Sequence, residues 1–164
     1  MSAIELPASP YLPASPSAGT PAELALGDAV GRRIAEAGGV LVCGGLGGVM
    51  EAAAGGCAAA GGRSVGILPS DSRIDANPYV TVVVATGMGE ARNAIVVRTA
   101  DVVIAIHGEF GTLSEIALAL KMGKPVVGLG TWELARDGEA VDAIVRASDP
   151  DEAVAKALQL ADRR

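Results

Sequence analysis

The sequence predicts an α/β protein: a mainly parallel sheet covered by helices on both faces. Three observations predict it. Short apolar runs at Val40–Cys43 and at 65–68, 80–84 and 102–106 have the length and branched composition of buried strands. Helical patterns of roughly 10–15 residues alternate with them, as βαβ units require. Half of the 164 residues are apolar but only 2% are aromatic, so the core must be built from Val, Ile, Leu and Ala. A chain of this length suits one core, which places a single α/β domain at 20–164.

Each element has its own signal. In residues 1–19, Pro7, Pro10, Pro13 and Pro16 recur every third position among Ala and Ser. That pattern favours extended chain or a distorted first strand, because proline cannot donate to a central ladder. Thr20-Pro21-Ala22-Glu23 is a capping box with proline at the first helical position, and Gly38-Gly39 stops the helix it opens. A strand at Val40–Cys43, a loop at 44–48 and a helix over 49–60 follow. Then come a strand at 65–68, a solvated polar loop over 69–79 with Asp71, Asp75 and Asn77, and a strand at 80–84. A loop at 87–89 leads to a helix over 90–99. The run 102–106, apolar at every position, is the clearest central strand. A loop at 107–111, a helix over 112–122 and a strand at 125–128 come next. Residues 130–140 read as irregular and 144–147 as an edge strand. Asp149-Pro150-Asp151-Glu152 is a second capping box, opening a last helix to about residue 161.

Composition excludes several classes. The net charge of −6 argues against nucleic acid as a partner, since such binders carry basic patches. It leaves phosphate binding open, because backbone N–H groups can hold an anion. Cys43 and Cys57 make neither a disulfide framework nor a metal motif and read as small core residues. No apolar run reaches the roughly 20 residues a membrane span needs. No basic region precedes an apolar block, so no signal peptide is read and a cytoplasmic location is expected. There is no Ser-His-Asp set, no zinc spacing, hence no metal site, and no Walker lysine, since Lys121 and Lys124 follow no phosphate-loop glycines.

Two loops carry the chemistry. In open parallel sheets, ligands bind at the carboxyl ends of the strands. The first loop, Gly44-Gly45-Leu46-Gly47-Gly48, joins a buried strand to the helix beginning Val49-Met50-Glu51. Its four glycines allow close backbone approach, and the helix aims its free N–H groups and positive dipole end at the same space. A turn needed only for strand–helix packing is the plainer alternative. The second loop, His107-Gly108-Glu109-Phe110-Gly111, leads into Thr112-Leu113-Ser114-Glu115. Thr112 is read either as a helix cap or as a phosphate ligand. Glu115 is read in the first turn, complementing the dipole or facing the crevice. The run 116–120 is apolar all round, which predicts a helix buried on two sides, by the sheet and by a partner subunit. Arg92, near a helix start where a cation is disfavoured, should meet an anion: a ligand, or Glu90, Glu109 or Glu115. His107, the lone histidine, reads as structural.

These motifs resemble the Lonely Guy superfamily, whose signatures run GGxxGxM and PGGxGTxxE. The first is matched by Gly44-Gly45-Leu46-Gly47-Gly48-Val49-Met50-Glu51, the second by Gly108-x-x-Gly111-Thr112-x-x-Glu115. Within it the chain is similar to a compact branch that includes molybdenum cofactor carriers, through Gly66-Ile67-Leu68-Pro69, Ala91-Arg92-Asn93 and the stretch from Glu115 to Lys121. The resemblance implies a Rossmann-like three-layer α/β/α fold and a homodimer or higher homo-oligomer. It implies a ligand or phosphate site at Gly44, Gly45, Gly47, Gly48, Met50, Asn93, Gly108, Gly111 and Thr112, with Arg92 and Glu115 as the catalytic pair. In cytokinin-activating members the reaction is hydrolysis of the N-glycosidic bond of nucleoside 5′-monophosphates. Lysine decarboxylation, a label many members have carried, is not implied. His107 and Glu109 stand where the family has Pro and Gly, and Glu109 brings negative charge to a phosphate site. The family's central first strand should precede Thr20, where this chain is proline-rich.

Three functions follow as expectations. The first is a protein that binds a phosphorylated, nucleotide-like ligand and hydrolyses a nucleoside monophosphate, with no required cofactor. The alternative is a non-catalytic carrier, with molybdenum cofactor or a related phosphorylated pterin or nucleotide as cargo. The third is a protein whose site has decayed.

Overall fold

The structure is a computed structural model that describes residues 19–162. The distorted strand expected within residues 1–19 lies outside the described residues, apart from Gly19. Helix α1 (Pro21–Glu36) begins as its sequence dictates: Thr20 Oγ1 accepts from Glu23 N at 3.3 Å, and Thr20 N donates to Glu23 Oε2 at 2.7 Å. β1 (Val40–Cys43), α2 (Val49–Ala59) and β2 (Arg63–Leu68) follow, then β3 (Val82–Ala85). A 3-10 turn over Gly89–Arg92 leads into α3 (Asn93–Thr99). β4 (Val103–Ile106), α4 (Phe110–Lys121) and β5 (Val126–Leu129) complete the second βαβ unit. β6 (Leu134–Arg136), β7 (Glu139–Val141), β8 (Val145–Ala147) and α5 (Pro150–Ala161) finish the chain. Asp149 Oδ1 caps α5 by accepting from Glu152 N, while the Glu152 carboxylate accepts from Ser148 N, one residue before the cap.

All the long strands are parallel, in a Rossmann-like three-layer arrangement. They form two groups of three, β1-β2-β3 and β4-β5-β8, and among the described residues β1 and β4 are not hydrogen-bonded to each other. Among the described residues, the run 102–106 is paired by β5. Its continuous apolar character comes instead from layers on both faces. Ile104 and Ile106 pack toward Val30 of α1 and Val154 of α5, and Ala105 packs toward Val97 of α3 with Ile116 and Ala119 of α4. Alternate strand residues point to opposite faces, so a strand covered twice is apolar throughout.

Small residues set how closely the helices approach. A side chain at Gly31 of α1 would overlap the backbone of Ala53, and one at Gly56 of α2 the backbone of Asp28. The two helices touch backbone to backbone, which accounts for the Ala- and Gly-rich composition.

Several expectations are corrected. β3 starts two residues late because Thr81 N donates to the Ser64 hydroxyl and Val80 N turns back to the Asn77 carbonyl. The segment read as irregular holds a β6–β7 hairpin, turned by Asp137 and Gly138 at φ 55° and 80°. That Asp-Gly pair is a standard hairpin signal. α4 begins at Phe110, with Glu109 at the cap position, so Thr112 is its third residue and does not cap it. Glu115 consequently lies in the second turn. Within α4, Ile116 and Ala119 are buried against the fold, while Ala117 is exposed on the single chain.

Candidate functional site

The two glycine loops line one crevice at the carboxyl ends of β1 and β4. Its polar end gathers Thr20, Glu23, Gly44, Gly47, Arg92, Asn93, Thr112 and Glu115. This polar end lies where β1 and β4 terminate, at the carboxyl edge of the strands.

The first loop is braced from below. Asn77 N donates to Gly45 O at 2.9 Å, and Asn77 Nδ2 donates to Leu46 O at 3.0 Å. Asn77 is buried, and its Oδ1 accepts from Tyr79 N. It belongs to the loop that read as solvated, and it is the support the sequence did not reveal. Gly45 sits at φ +74°, with room for no side chain: a Cβ there would stand 2.8 Å from Leu68 Cδ2. Gly44 is pressed between Arg92 and Met50, whose Nη2 and Sδ would lie 2.6 and 2.7 Å from a Cβ. Met50 thus packs over the loop. Gly47 has open space, with only Glu51 Oε2 at 3.6 Å. Gly48 caps α2 at φ 67° with no side-chain hydrogen bond.

Arg92 ends the 3-10 turn and is 7% exposed. Its Nη1 donates to Asn93 Oδ1 at 2.6 Å and lies 3.6 Å from Glu115 Oε1. Its buried Nε has no partner among the described residues. Of the three carboxylates the sequence offered as partners, the ion pair forms with Glu115. Asn93 Nδ2 in turn donates to Ser114 Oγ, which donates to Gly111 O, so α3 is laced to the first turn of α4. Burial pushes the Glu115 carboxyl above the usual range, and the Glu90 charge adds to that, while the Arg92 charge draws it down. Cys43, next to this group, has its thiol pushed up by burial and stays an inert core residue, as does Cys57.

The second loop is more open. His107 adopts φ 44°, and its carbonyl accepts from Thr131 Oγ1 at 2.6 Å. Its Nδ1 lies 3.8 Å from Glu23 Oε1, tying the end of β4 to the start of α1. Gly108, at φ +99°, lies under the Thr112 side chain, which leaves no room for a Cβ. Glu109 is exposed, so its charge stands in water and outside the Arg92 pair. Gly111 has nothing within 4 Å of a built Cβ. Among the described residues no group of three or more His, Cys, Asp or Glu is arranged to hold a metal ion. No described helix is long and apolar enough to cross a membrane.

These features define a Rossmann-like α/β protein with a polar crevice at the carboxyl ends of its strands. The chain belongs to the SLOG cluster4 family, whose profile matches residues 15–155. An uncharacterized protein of Archaeoglobus fulgidus is 51% identical over 100 residues, which is 61% of this chain and 66% of that protein. The match thus spans just under two thirds of that relative. The molybdenum cofactor binding protein of Rippkaea orientalis superposes with a TM-score of 0.77 at 36% identity, covering 86% of this chain and 89% of that one. The Moco carrier protein of Chlamydomonas reinhardtii superposes with a TM-score of 0.78 at 32% identity, covering 90% and 93%.

Proposed function

We propose that this protein is a small-molecule binder that carries a phosphorylated pterin of the molybdenum cofactor type, with its anionic group held at the polar end of the cavity. The observation that carries the reading is Arg92. It is a buried guanidinium set against the first glycine loop, hydrogen-bonded to Asn93 and ion-paired with Glu115, and its Nε has no hydrogen-bond partner among the described residues. A buried donor left unsatisfied costs about 1–3 kcal/mol, which an anion reorganising the group would relieve. Gly47 and Gly111 leave open space for close approach to the starts of α2 and α4, where free N–H groups favour anions. The similarity to two molybdenum cofactor proteins supports the cargo class. The functional unit in this reading is a homodimer, and a monomer in sedimentation at micromolar concentration would overturn that part.

Ligand-dependent thermal stabilisation tests the carrier reading. Molybdopterin and phosphorylated pterins should raise the melting temperature, and Arg92→Met should abolish the shift. No stabilisation by any anionic ligand would sink it.

A second reading has its own support in the Arg92–Glu115 pair. A carboxyl raised by burial and facing an arginine could orient water or stabilise a cationic sugar during hydrolysis of a nucleoside monophosphate. Incubation with AMP should then release free base, and Glu115→Ala should stop it. Absence of base release from every monophosphate tried rules the hydrolase out.

A further inference from the structure

The chain has one phenylalanine and one tryptophan. In a protein this poor in aromatics, each would ordinarily anchor the core. Instead they meet at the wall of the cavity. Phe110, the first residue of α4, is 77% exposed, and its ring centroid lies 5.6 Å from that of Trp132 with the planes tilted by 41°. Trp132 is half-buried against the cluster of Val97, Ile116 and Ile144, and its ring N–H donates to Glu109 O at 3.3 Å. One ring is thus fixed by packing and a hydrogen bond, and it holds the other out toward solvent. Both line the cavity that contains Arg92, Gly47 and Thr112. An exposed phenylalanine contributes nothing to the core, and its neighbours Glu109 and Gly111 are polar or bare.

We propose that Phe110, backed by Trp132, is a stacking platform for a planar bicyclic heteroaromatic ring whose phosphorylated tail lies toward Arg92. The inference rests on the anion-binding reading of the same cavity and adds to it a subsite for the ring. A π-face accepts any flat heteroaromatic, so purine and pterin share this chemistry. The commitment is to a small ligand bearing both ring and phosphate, and a second copy of the chain on this patch is the competing outcome.

Trp132, the lone tryptophan, reports directly. AMP and dihydroneopterin monophosphate are titrated in parallel with ribose 5-phosphate, which has the tail without the ring. A ring-bearing probe should quench Trp132 fluorescence, and ribose 5-phosphate should bind without quenching. The probe that quenches identifies the ring source. Phe110→Ala should weaken that probe by about five- to a hundredfold, leave ribose 5-phosphate affinity unchanged, and be rescued by Phe110→Tyr. Phe110 is exposed, so this variant keeps the core. Equal loss for ring-bearing and ringless probes, or binding of AMP and the pterin with no quenching, overturns the platform while sparing the anion site. A change from dimer to monomer in Phe110→Ala with unaltered ligand affinity assigns the patch to a subunit interface and overturns it too. Failure of every probe to bind overturns both readings.

Discussion

Gly44 and Gly45 are buried and touched by Leu68, Gly66, Met50 and Arg92, whereas Gly108 and Gly111 are exposed at the opening of α4. Both loops join a parallel strand to a helix; in the sequence the first reads as an open anion cradle, and the second as one only conditionally, because it carries Glu109. Their glycines nevertheless answer to different demands. In the first loop Gly44 and Gly45 are required by packing: the backbone of β2 and the Arg92 guanidinium come too close for any side chain. In the second, Gly108 is required by Thr112, but Gly111 has empty space before it and an ordinary helical backbone. A glycine in a helix interior costs about 1 kcal/mol relative to alanine, and no neighbour packed against Gly111 requires a glycine there. The comparison teaches that glycine count alone does not mark a ligand site. In the proposed reading, the glycines with room around them, Gly47 and Gly111, are the ones that face the ligand.

That contrast can be broken or sharpened, beginning with the largest effect. Gly45→Val puts a β-branched side chain at φ +74° against Leu68 and should cost roughly 3 kcal/mol or more in urea unfolding. A loss below about 1 kcal/mol would mean the first loop is not braced as described. Asn77→Ala removes the support under the same loop and leaves the Leu46 carbonyl without its side-chain donor. It should cost about 1–3 kcal/mol in urea unfolding, and affinity for a phosphorylated ligand should fall with it. Unchanged affinity would detach the loop's geometry from binding.

Glu115→Gln tests the pair that spans the two loops. Burial holds the folded Glu115 carboxyl above its unfolded value, so its contribution to stability is present at low pH and is lost as pH rises through the folded pKa. Glutamine has no such loss. The variant should therefore gain on the wild type as pH rises from about 4 toward 7, read as a melting-temperature difference. A difference that stays flat across that window would show that Arg92 compensates the burial in full. The smallest effect is Gly111→Ala, which should stabilise α4 by up to about 1 kcal/mol while weakening any phosphorylated ligand. Stabilisation with full affinity would remove Gly111 from the site.

Local elements were legible because their causes are local. The Thr20 box and the Asp149 cap are bonds across three residues, and each strand–loop–helix junction is written in a run of a dozen. The β6–β7 hairpin was missed, because the segment reads as irregular despite the turn signal of Asp137-Gly138. The start of α4 was misplaced by two residues because Glu109 is a weak cap signal and Phe110-Gly111 a weak helical opening. Asn77 gave no sign of its role: beside Asp71 and Asp75 it looks solvated, and only a partner 31 residues away buries it.

The sequence by itself determined the alternation of strands and helices, the apolar layers, the two glycine loops, and the residues Arg92 and Glu115 through a motif resemblance. Tertiary structure decided which glycines are held and which are open. It also set Arg92 against Glu115 across 23 positions, and brought the only phenylalanine and the only tryptophan together at the cavity wall. The physical reason is range. Propensity, capping and periodicity act within a few turns of chain, whereas burial, ion pairing and ring contact depend on where strands from distant segments end.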